Sequence, residues 1–239
     1  STASEVQHRL GATGCGTFDL NTACAGFVTA LDLGAKYIQA DPRYARVLVI
    51  GAYAMSKHVE LTDMKTSNLF ADGAAGVLLG ATDEPGRGWL AARLHTEGQY
   101  AGWMGIYGGG TAAPSTVESV ARGDHKLKFV KKFPPEINPE TWTRMVTEVV
   151  ADAGHTVADI DQVLFTQINI GSIRATLESL GLGEDRTHCV MDRYGYTGSA
   201  CIPMCLAEAT ELGKIAPGDL VVFMGSGGGL AFACCAFRI

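Results

Sequence analysis

The sequence lacks most of the signals that would place it outside ordinary globular proteins. No apolar run reaches the roughly 18 residues of a membrane span, and residues 1–12 lack the charged and then apolar layout of a signal peptide. Lys and Arg total 19 against 25 Asp and Glu, giving a net charge of -6, whereas phosphate backbones are bound by surplus basic residues. We therefore expect a cytoplasmic protein that binds neither membrane nor nucleic acid.

Signals for cysteine cross-links are also missing. The seven cysteines are an odd number, form no CxxC pair, and mostly lie inside apolar runs. This pattern is typical of reduced core thiols and not of disulfides or zinc ligands. The sequence therefore predicts no disulfide and no zinc site.

What is present is an alternation of helices with continuous Val/Ile/Leu strands. A hydrophobic content of 47% over 239 residues allows one large core or two fused half-domains. The periodicity predicts helices over residues 4–10, 25–39, 139–153, 170–180 and 199–212. It predicts strands over residues 17–21, 46–51, 75–80, 162–165, 189–191, 220–224 and 230–238. Such an order favours an α/β fold with sheets covered on both faces by helices.

The chain contains an internal echo, that is, two helix–strand segments with similar sequences. Cys24 opens a helix that leads to a strand ending at Gly51, and Cys201 opens another that leads to a strand ending at Gly225. Each cysteine follows a short hydroxyl-and-alanine pair, Thr-Ala or Ser-Ala. The echo favours a duplicated fold. The alternative is chance similarity, because helix–strand units are short and common.

Cys24 is the candidate nucleophile. It stands where the predicted strand 17–21 passes into a helix, and the free N–H groups and dipole of a helix start favour a thiolate, which attacks thioesters. The sequence thus predicts a lowered thiol pKa. The alternative is a buried structural cysteine, since free Cys is often buried. Cys201 has similar neighbours, but Pro203 suits the first turn of a purely structural helix.

Three consecutive glycines, 227–229, follow the predicted strand 220–224. Without side chains in the way, their backbone N–H groups could form an oxyanion hole. The alternative is a tight hairpin between the last two strands, and both interpretations can hold together.

Five segments, in order, resemble the ketoacyl-ACP synthase III family of the thiolase superfamily. Residues 18–27 (FDLNTACAGF) resemble the nucleophile segment, and residues 70–75 (FADGAA) resemble the F-G-D-G-A-G motif. Residues 167–169 (QIN), 192–197 (DRYGYT) and 226–229 (SGGG) resemble H-Q-A-N, D-R-H-G-N-T and F-G-G-G.

The resemblance implies the thiolase fold, a duplicated five-layer α-β-α-β-α sandwich. The N-terminal part of the first half is expected to be absent from this chain. Residues 1–84 are then the remainder of the N-terminal half that carries the nucleophile, and residues 85–239 are a linker region and the C-terminal half.

The resemblance also assigns roles to site residues. Cys24 corresponds to the nucleophile, and Gly228 best matches the oxyanion-hole glycine. The family's catalytic His and Asn, which stabilise the enolate of a decarboxylating malonyl group, are replaced by Thr166 and Tyr196, so decarboxylative condensation is not expected to persist unchanged. The hydroxyls of both residues can still donate hydrogen bonds. The matching substrate-binding positions are Phe70, Gln167, Ile168 and Asn169.

The implied function is acyl transfer through an acyl-Cys24 thioester, in fatty acid or polyketide biosynthesis. The acyl donor would be acyl-CoA or an acyl group on the phosphopantetheine of an acyl carrier protein, with no permanently bound cofactor. Alternatives are a non-catalytic thiolase-fold partner subunit and an acyl-thioester hydrolase.

The resemblance implies a homodimer paired through strand 17–21. The absent N-terminal segment could exist as a separate or cleaved chain. Residues 125–133 carry four Lys and could dock an acidic acyl carrier protein, but they could equally be a solvated edge.

Overall fold

The computed structural model describes residues 1–239 and contains eight helices and eight strands. The helices are α1 (Thr2–Arg9), α2 (Gly26–Ala40), α3 (Met64–Ser67), α4 (Val117–Ala121), α5 (Ile137–Asp152), α6 (Ile170–Leu180), α7 (Met191–Tyr194) and α8 (Cys201–Glu211). The strands are β1 (Arg46–Ala54), β2 (Asp72–Gly80), β3 (Gly88–Thr96), β4 (Met104–Gly105), β5 (Lys128–Phe129), β6 (Gln162–Phe165), β7 (Leu220–Gly227) and β8 (Ala231–Arg238). No helix is both long and apolar enough to cross a membrane.

The strands form two main sheets. β1 and β2 form an antiparallel pair, while β3, β8, β7 and β6 form a four-stranded sheet in that order. β6 and β7 are parallel, and the other pairs of this sheet are antiparallel. Every residue of β7 is buried, as its continuous apolar sequence predicts for a strand covered on both faces. β4 and β5 form a separate short antiparallel pair, with α4 in the connection between them.

Helices pack on both faces of the four-stranded sheet. α5 and α6 cover the outer face, where Trp142 of α5 stacks on Phe165 of β6 with ring centroids 5.3 Å apart. α2 and α8 lie on the inner face, between this sheet and the β1–β2 pair. Each helix therefore lies where its apolar side is buried against a sheet, because apolar surface is stabilised by removal from water.

The outer face of the β1–β2 pair carries no helix within residues 1–239. Because side chains alternate along a strand, Leu48, Ile50 and Leu78 point away from the core and are exposed by 47%, 42% and 63%. The chain therefore builds four layers, and the fifth layer of the predicted sandwich has no counterpart within these residues. The predicted boundary between residues 84 and 85 stays a prediction.

The internal echo corresponds to a reciprocal contact between the two halves. A Cβ atom on Gly51 of β1 would overlap the Ser199 carbonyl oxygen just before α8. A Cβ atom on Gly225 of β7 would lie 3.0 Å from the Cα of Ala25, just before α2. Each strand glycine thus lets its backbone approach the helix start of the other half, as a duplicated fold with a two-fold arrangement requires.

One predicted strand is wrong, and a second has no partner within the single chain. Residues 17–21 form no ladder, because a strand needs a hydrogen-bonded neighbour and none lies beside this segment in the chain. Residues 189–191 precede and begin the short helix α7, since the Gln167 side chain takes the Val190 backbone N–H that a strand partner would need. β3 was not predicted from the sequence, although it pairs with β8 over most of its length.

We predict that the segment 17–21 pairs with the same segment of a second copy. Its unpaired backbone and Phe18, which is 58% exposed, lie open in the single chain. Sedimentation at micromolar concentration should give about twice the chain mass of 25.2 kDa, and Phe18→Asp should shift the protein toward the monomer. Leu212→Asp, an exposed leucine elsewhere, is the matched control. A native monomer would contradict the prediction.

Candidate active site

Cys24 lies on a sharp turn immediately before α2. Ala25 is the N-cap and α2 begins at Gly26, so the thiol precedes the first helical residue by two positions. Ala23 adopts a φ of 48°, a left-handed conformation that non-glycine residues rarely take. Its backbone N–H donates to the Asn21 side chain at 2.8 Å, which holds the turn locally. The chain thus presents Cys24 at an elbow between an extended segment and a helix.

Burial controls the acidity of Cys24. The residue is 6% exposed, and burial raises the pKa of its thiol to about 11. A hydrogen-bonding contact with the Tyr196 side chain acts in the opposite direction. The shift of the Cys24 pKa is therefore opposite to the predicted lowering, because the desolvation of a thiolate outweighs the favourable field of the helix start.

The glycine loop after β7 packs directly behind the nucleophile. A Cβ atom on Gly227 would lie 2.6 Å from both the Cys24 nitrogen and the Thr22 carbonyl oxygen. The next residue, Gly228, faces the Met104 methyl group, which a Cβ would approach to 3.2 Å. The loop therefore reaches the nucleophile's backbone, and the oxyanion role of Gly228 stays a prediction.

Tyr196 lies in the same core cluster as Cys24 and packs against other aromatic side chains. Its N–H donates to the Leu69 carbonyl and its carbonyl accepts from Ala71 N–H, both at 2.9 Å. Its ring centroid lies 5.5 Å from that of Phe70. Burial, with the nearby Cys24 as a smaller cause, raises the pKa of Tyr196, so its hydroxyl stays protonated and can donate. The structure thus brings Cys24, Tyr196 and Phe70 together.

Thr166 lies at the base of the glycine loop. It is fully buried, and its hydroxyl oxygen accepts the Ser226 N–H at 2.8 Å. Its own N–H donates to the Met224 carbonyl at 3.0 Å, continuing the β6–β7 pairing. The hydroxyl hydrogen is directed at the Ser226 carbonyl oxygen, 3.4 Å away, and donation to a substrate oxygen would compete with that longer bond.

Gln167 occupies a structural position. It is 1% exposed, and its side-chain carbonyl accepts the Val190 N–H at 3.0 Å. Its backbone N–H points at the Cys201 sulfur, 3.4 Å away. The polar groups of Gln167 are thus directed to the protein interior, and its predicted substrate contact stays a prediction.

Ile168 and Asn169 continue from this position toward the surface. Ile168 is partly buried against the inner core. Asn169 is exposed and caps α6 by accepting the Gly171 N–H at 2.8 Å. Its amide nitrogen remains available to a ligand, and the substrate-binding roles of both residues stay predictions.

Three residues of the site were missed from the sequence. Tyr53 of β1 lies 6.4 Å from Tyr196 between ring centroids, and Phe129 of β5 lies 6.1 Å from Phe70. Met104 of β4 covers Gly228. The β4–β5 pair therefore lies beside the site, with β4 against the glycine loop and β5 against Phe70. Only the irregular Gly-, Trp- and Tyr-rich composition of residues 89–113 marks part of this region in the sequence.

Three lysine side chains of the segment 125–133 contact other groups of the same chain. Lys126 donates to the Val59 carbonyl at 3.0 Å, and Lys128 pairs with Asp124 at 3.3 Å. Lys131 lies over the Trp103 ring, 5.2 Å from its centroid. These contacts reduce the charge available to a partner, and carrier-protein docking stays a prediction. No cluster of three His, Cys, Asp or Glu side chains within residues 1–239 is arranged to hold a metal ion.

Two models of one family match the chain. The model described as 3-oxoacyl-[acyl-carrier-protein (ACP)] synthase III matches residues 18–98, and its C-terminal model matches residues 150–239. The chain belongs to the 3-oxoacyl-ACP synthase III family. The sequence prediction of the family is therefore confirmed.

Individual relatives agree over the whole chain. The beta-ketoacyl-ACP synthase III of Symbiobacterium thermophilum is 38% identical over 244 residues, and that of Rhizorhabdus wittichii is 35% identical over 238 residues. Each alignment covers 100% of this chain and 72% of the relative.

Solved structures of the family have the same fold. The 3-oxoacyl-ACP synthase III of Aquifex aeolicus VF5 superimposes with a TM-score of 0.87 at 29% identity, over 100% of this chain and 72% of that one. The priming beta-ketosynthase of the R1128 polyketide pathway gives 0.84 at 26% identity, over 99% of this chain and 69% of that one. The chain thus has the predicted thiolase fold.

Proposed function

We propose that this family member transfers an acyl group from acyl-CoA or acyl carrier protein to an acceptor through an acyl-Cys24 thioester. The observation that carries the proposal is the position of Cys24 on a strained elbow, with the glycine loop behind it and the Tyr196 hydroxyl beside it. A scaffold needs no strained residue at this position. The family and its relatives' names support a transferase of fatty acid or polyketide biosynthesis.

The proposed chemistry uses groups of this chain only. The Cys24 sulfur attacks the thioester carbonyl carbon, and the developing oxyanion is held by backbone N–H groups of Cys24 and Gly228. The bond from carbon to the donor sulfur then breaks, and the departing thiolate takes the proton that Cys24 gave up. Tyr196, held neutral by burial, stabilises the Cys24 thiolate by hydrogen bonding.

Intact-protein mass spectrometry tests the proposal. Incubation with a panel of acyl-CoA and acyl carrier protein donors should add one acyl mass to native protein and none to Cys24→Ala. Cys201→Ala is the matched control, because Cys201 has a similar sequence context but is fully buried, and it should still be acylated. Absence of a Cys24-dependent adduct with every donor would refute the proposal.

A non-catalytic partner subunit is the second candidate. The engaged Thr166 hydroxyl and the nearly complete burial of Cys24 favour it. Under this alternative, no donor acylates Cys24 or protects it from alkylation. Under a third alternative, hydrolysis, the adduct forms but the product is a free carboxylic acid. A cytoplasmic location and the homodimer remain part of the proposal.

A further inference from the structure

The two halves of the fold contain equivalent antiparallel strand pairs, β1–β2 and β7–β8. Gly51 of β1 and Gly225 of β7 make the reciprocal contacts with the helix starts. In the two registers, Gly51 pairs with Ala75 and Gly225 pairs with Ala233. A glycine therefore lies opposite an alanine at the same place in each pair, so the two pairs can be compared residue by residue.

The comparison finds buried side chains in one half and open side chains in the other. Val222 and Met224 of β7 lie three residues and one residue before the glycine, and both are fully buried in the cluster formed with α5. Leu48 and Ile50 take the same two positions in β1 and are exposed by 47% and 42%. The C-terminal half thus covers with a helix the face that the N-terminal half leaves in water.

The edges of the two pairs differ in the same way. β7 has the parallel strand β6 on its other side, and β8 has the antiparallel strand β3. β1 and β2 pair only with each other, so no strand of residues 1–239 lies along their outer edges. In an antiparallel pair, alternate residues direct their N–H and C=O groups away from the partner strand, and these groups can pair with a further strand.

We propose that the outer face and the two free edges of the β1–β2 pair form a docking surface for one polypeptide segment. The segment adds a strand parallel to β1, a strand antiparallel to β2, and helices over Leu48 and Ile50. The C-terminal half carries this arrangement as β6, β3 and the helices α5 and α6. Because the fold is duplicated, the segment needs apolar strands and helices with one apolar side. The inference does not depend on the reaction at Cys24.

The occupant that fits is the part of the family chain outside the match with this one. The 238 aligned residues make up 72% of the Rhizorhabdus wittichii relative, which leaves about 90 residues, enough for two strands of about 5–6 residues and two helices of about 12 with their connections. A second copy of this chain offers no such segment, because its own β3, β6, α5 and α6 are built into its C-terminal half.

The test supplies the segment as a separate polypeptide to the whole chain. The probes are the parts of the Symbiobacterium thermophilum and Rhizorhabdus wittichii proteins that lie outside the match, each co-expressed with residues 1–239. At least one probe should co-purify with the chain in a one-to-one complex. Hydrogen exchange should then slow by on the order of 10-fold or more at alternate amides of β1 and β2. β7, which already pairs on both sides, should not change.

Two variants of the outer face test the position of the contact. Leu48→Asp should abolish co-purification, because docking would bury its carboxylate without a partner. Leu78→Asp, on β2 opposite Leu48, should do the same. Both side chains are exposed in the chain alone, so the melting temperature of each variant should stay native. Leu94→Asp is the matched control, because Leu94 is an exposed leucine on the edge strand β3, and it should co-purify as native protein does.

The proposal is overturned if neither probe co-purifies with the native chain, or if a bound probe leaves β1 and β2 unprotected. It is equally overturned if the variants of Leu48 and Leu78 bind the probe as native protein does. Self-association of the chain that Leu48→Asp abolishes and Phe18→Asp does not would show that a second copy occupies this face, and would also overturn it.

Discussion

Gly227→Ala is expected to remove acylation of Cys24 and to destabilise the protein by about 3 kcal/mol or more, since forced overpacking commonly costs 1–3 kcal/mol. The added methyl group would lie 2.6 Å from the Cys24 nitrogen and the Thr22 oxygen and 2.9 Å from the Ala23 Cβ. Two of these atoms are backbone on the strained elbow, so they cannot move without moving the nucleophile. Differential scanning calorimetry should show a melting temperature lower by roughly 10 °C.

Substitutions at two other glycines distinguish steric overlap at position 227 from the general effect of replacing a glycine by alanine. Gly80→Ala is the matched control, because no atom lies within 4 Å of the added methyl group and its φ is ordinary. It should keep native stability and acylation. Gly228→Ala meets only the flexible end of Met104 and should be milder than Gly227→Ala. Native-like acylation of Gly227→Ala would show that the loop does not support the elbow.

Most of the fold could be predicted because its main strands contain continuous apolar runs. β6 and α6 begin and end at the predicted residues, and the internal echo favoured a duplicated fold, with which the contacts of Gly51 and Gly225 agree. The predicted strand at residues 17–21 has no partner within the single chain: its composition favours extension, but hydrogen-bonded pairing depends on a neighbour that sequence periodicity cannot supply.

The site was less predictable, because its properties depend on packing. The position of Cys24 before a helix was predicted, but the sign of its pKa shift depends on burial by distant residues. Tyr53 carries no motif, and its close contact with the backbone of Gly198, 145 positions away, is not visible in the sequence. The sequence predicts a Thr166 hydroxyl that can donate to substrate, because it does not show the Ser226 N–H and carbonyl groups that face this hydroxyl.

The second large effect concerns decarboxylation of a malonyl thioester. In the family, a His and an Asn donate hydrogen bonds to the enolate oxygen, and losing one such donor commonly costs about 10²- to 10³-fold in rate. At the equivalent positions, the Thr166 hydroxyl accepts the Ser226 N–H and is directed at the Ser226 carbonyl oxygen 3.4 Å away, and Tyr196 offers one O–H in place of an amide. Native protein should therefore be a poor malonyl decarboxylase.

Thr166→His combined with Tyr196→Asn should restore both donors and accelerate decarboxylation by about 10²-fold or more. The same change removes the Tyr196 contact with Cys24, so Cys24 alkylation should slow, and the two rates should move in opposite directions. A thermal melt is the control for folding, because Tyr196 is almost fully buried and a large-to-small change costs a few kcal/mol. Tyr196→Phe is the matched variant, since it removes the same hydroxyl and supplies no new donor.

Faster decarboxylation together with slower Cys24 alkylation is the decisive result, because general loosening of the site would not produce this combination. A loosened site would expose Cys24 and speed its alkylation, whereas the loss of one hydrogen bond to the thiolate slows it. If the double variant decarboxylates no faster than native protein while remaining folded, the donor pair is not what limits condensation. The buried Thr166 hydroxyl would then have to leave Ser226 during the native reaction, and Thr166→Val should abolish the native decarboxylation that remains.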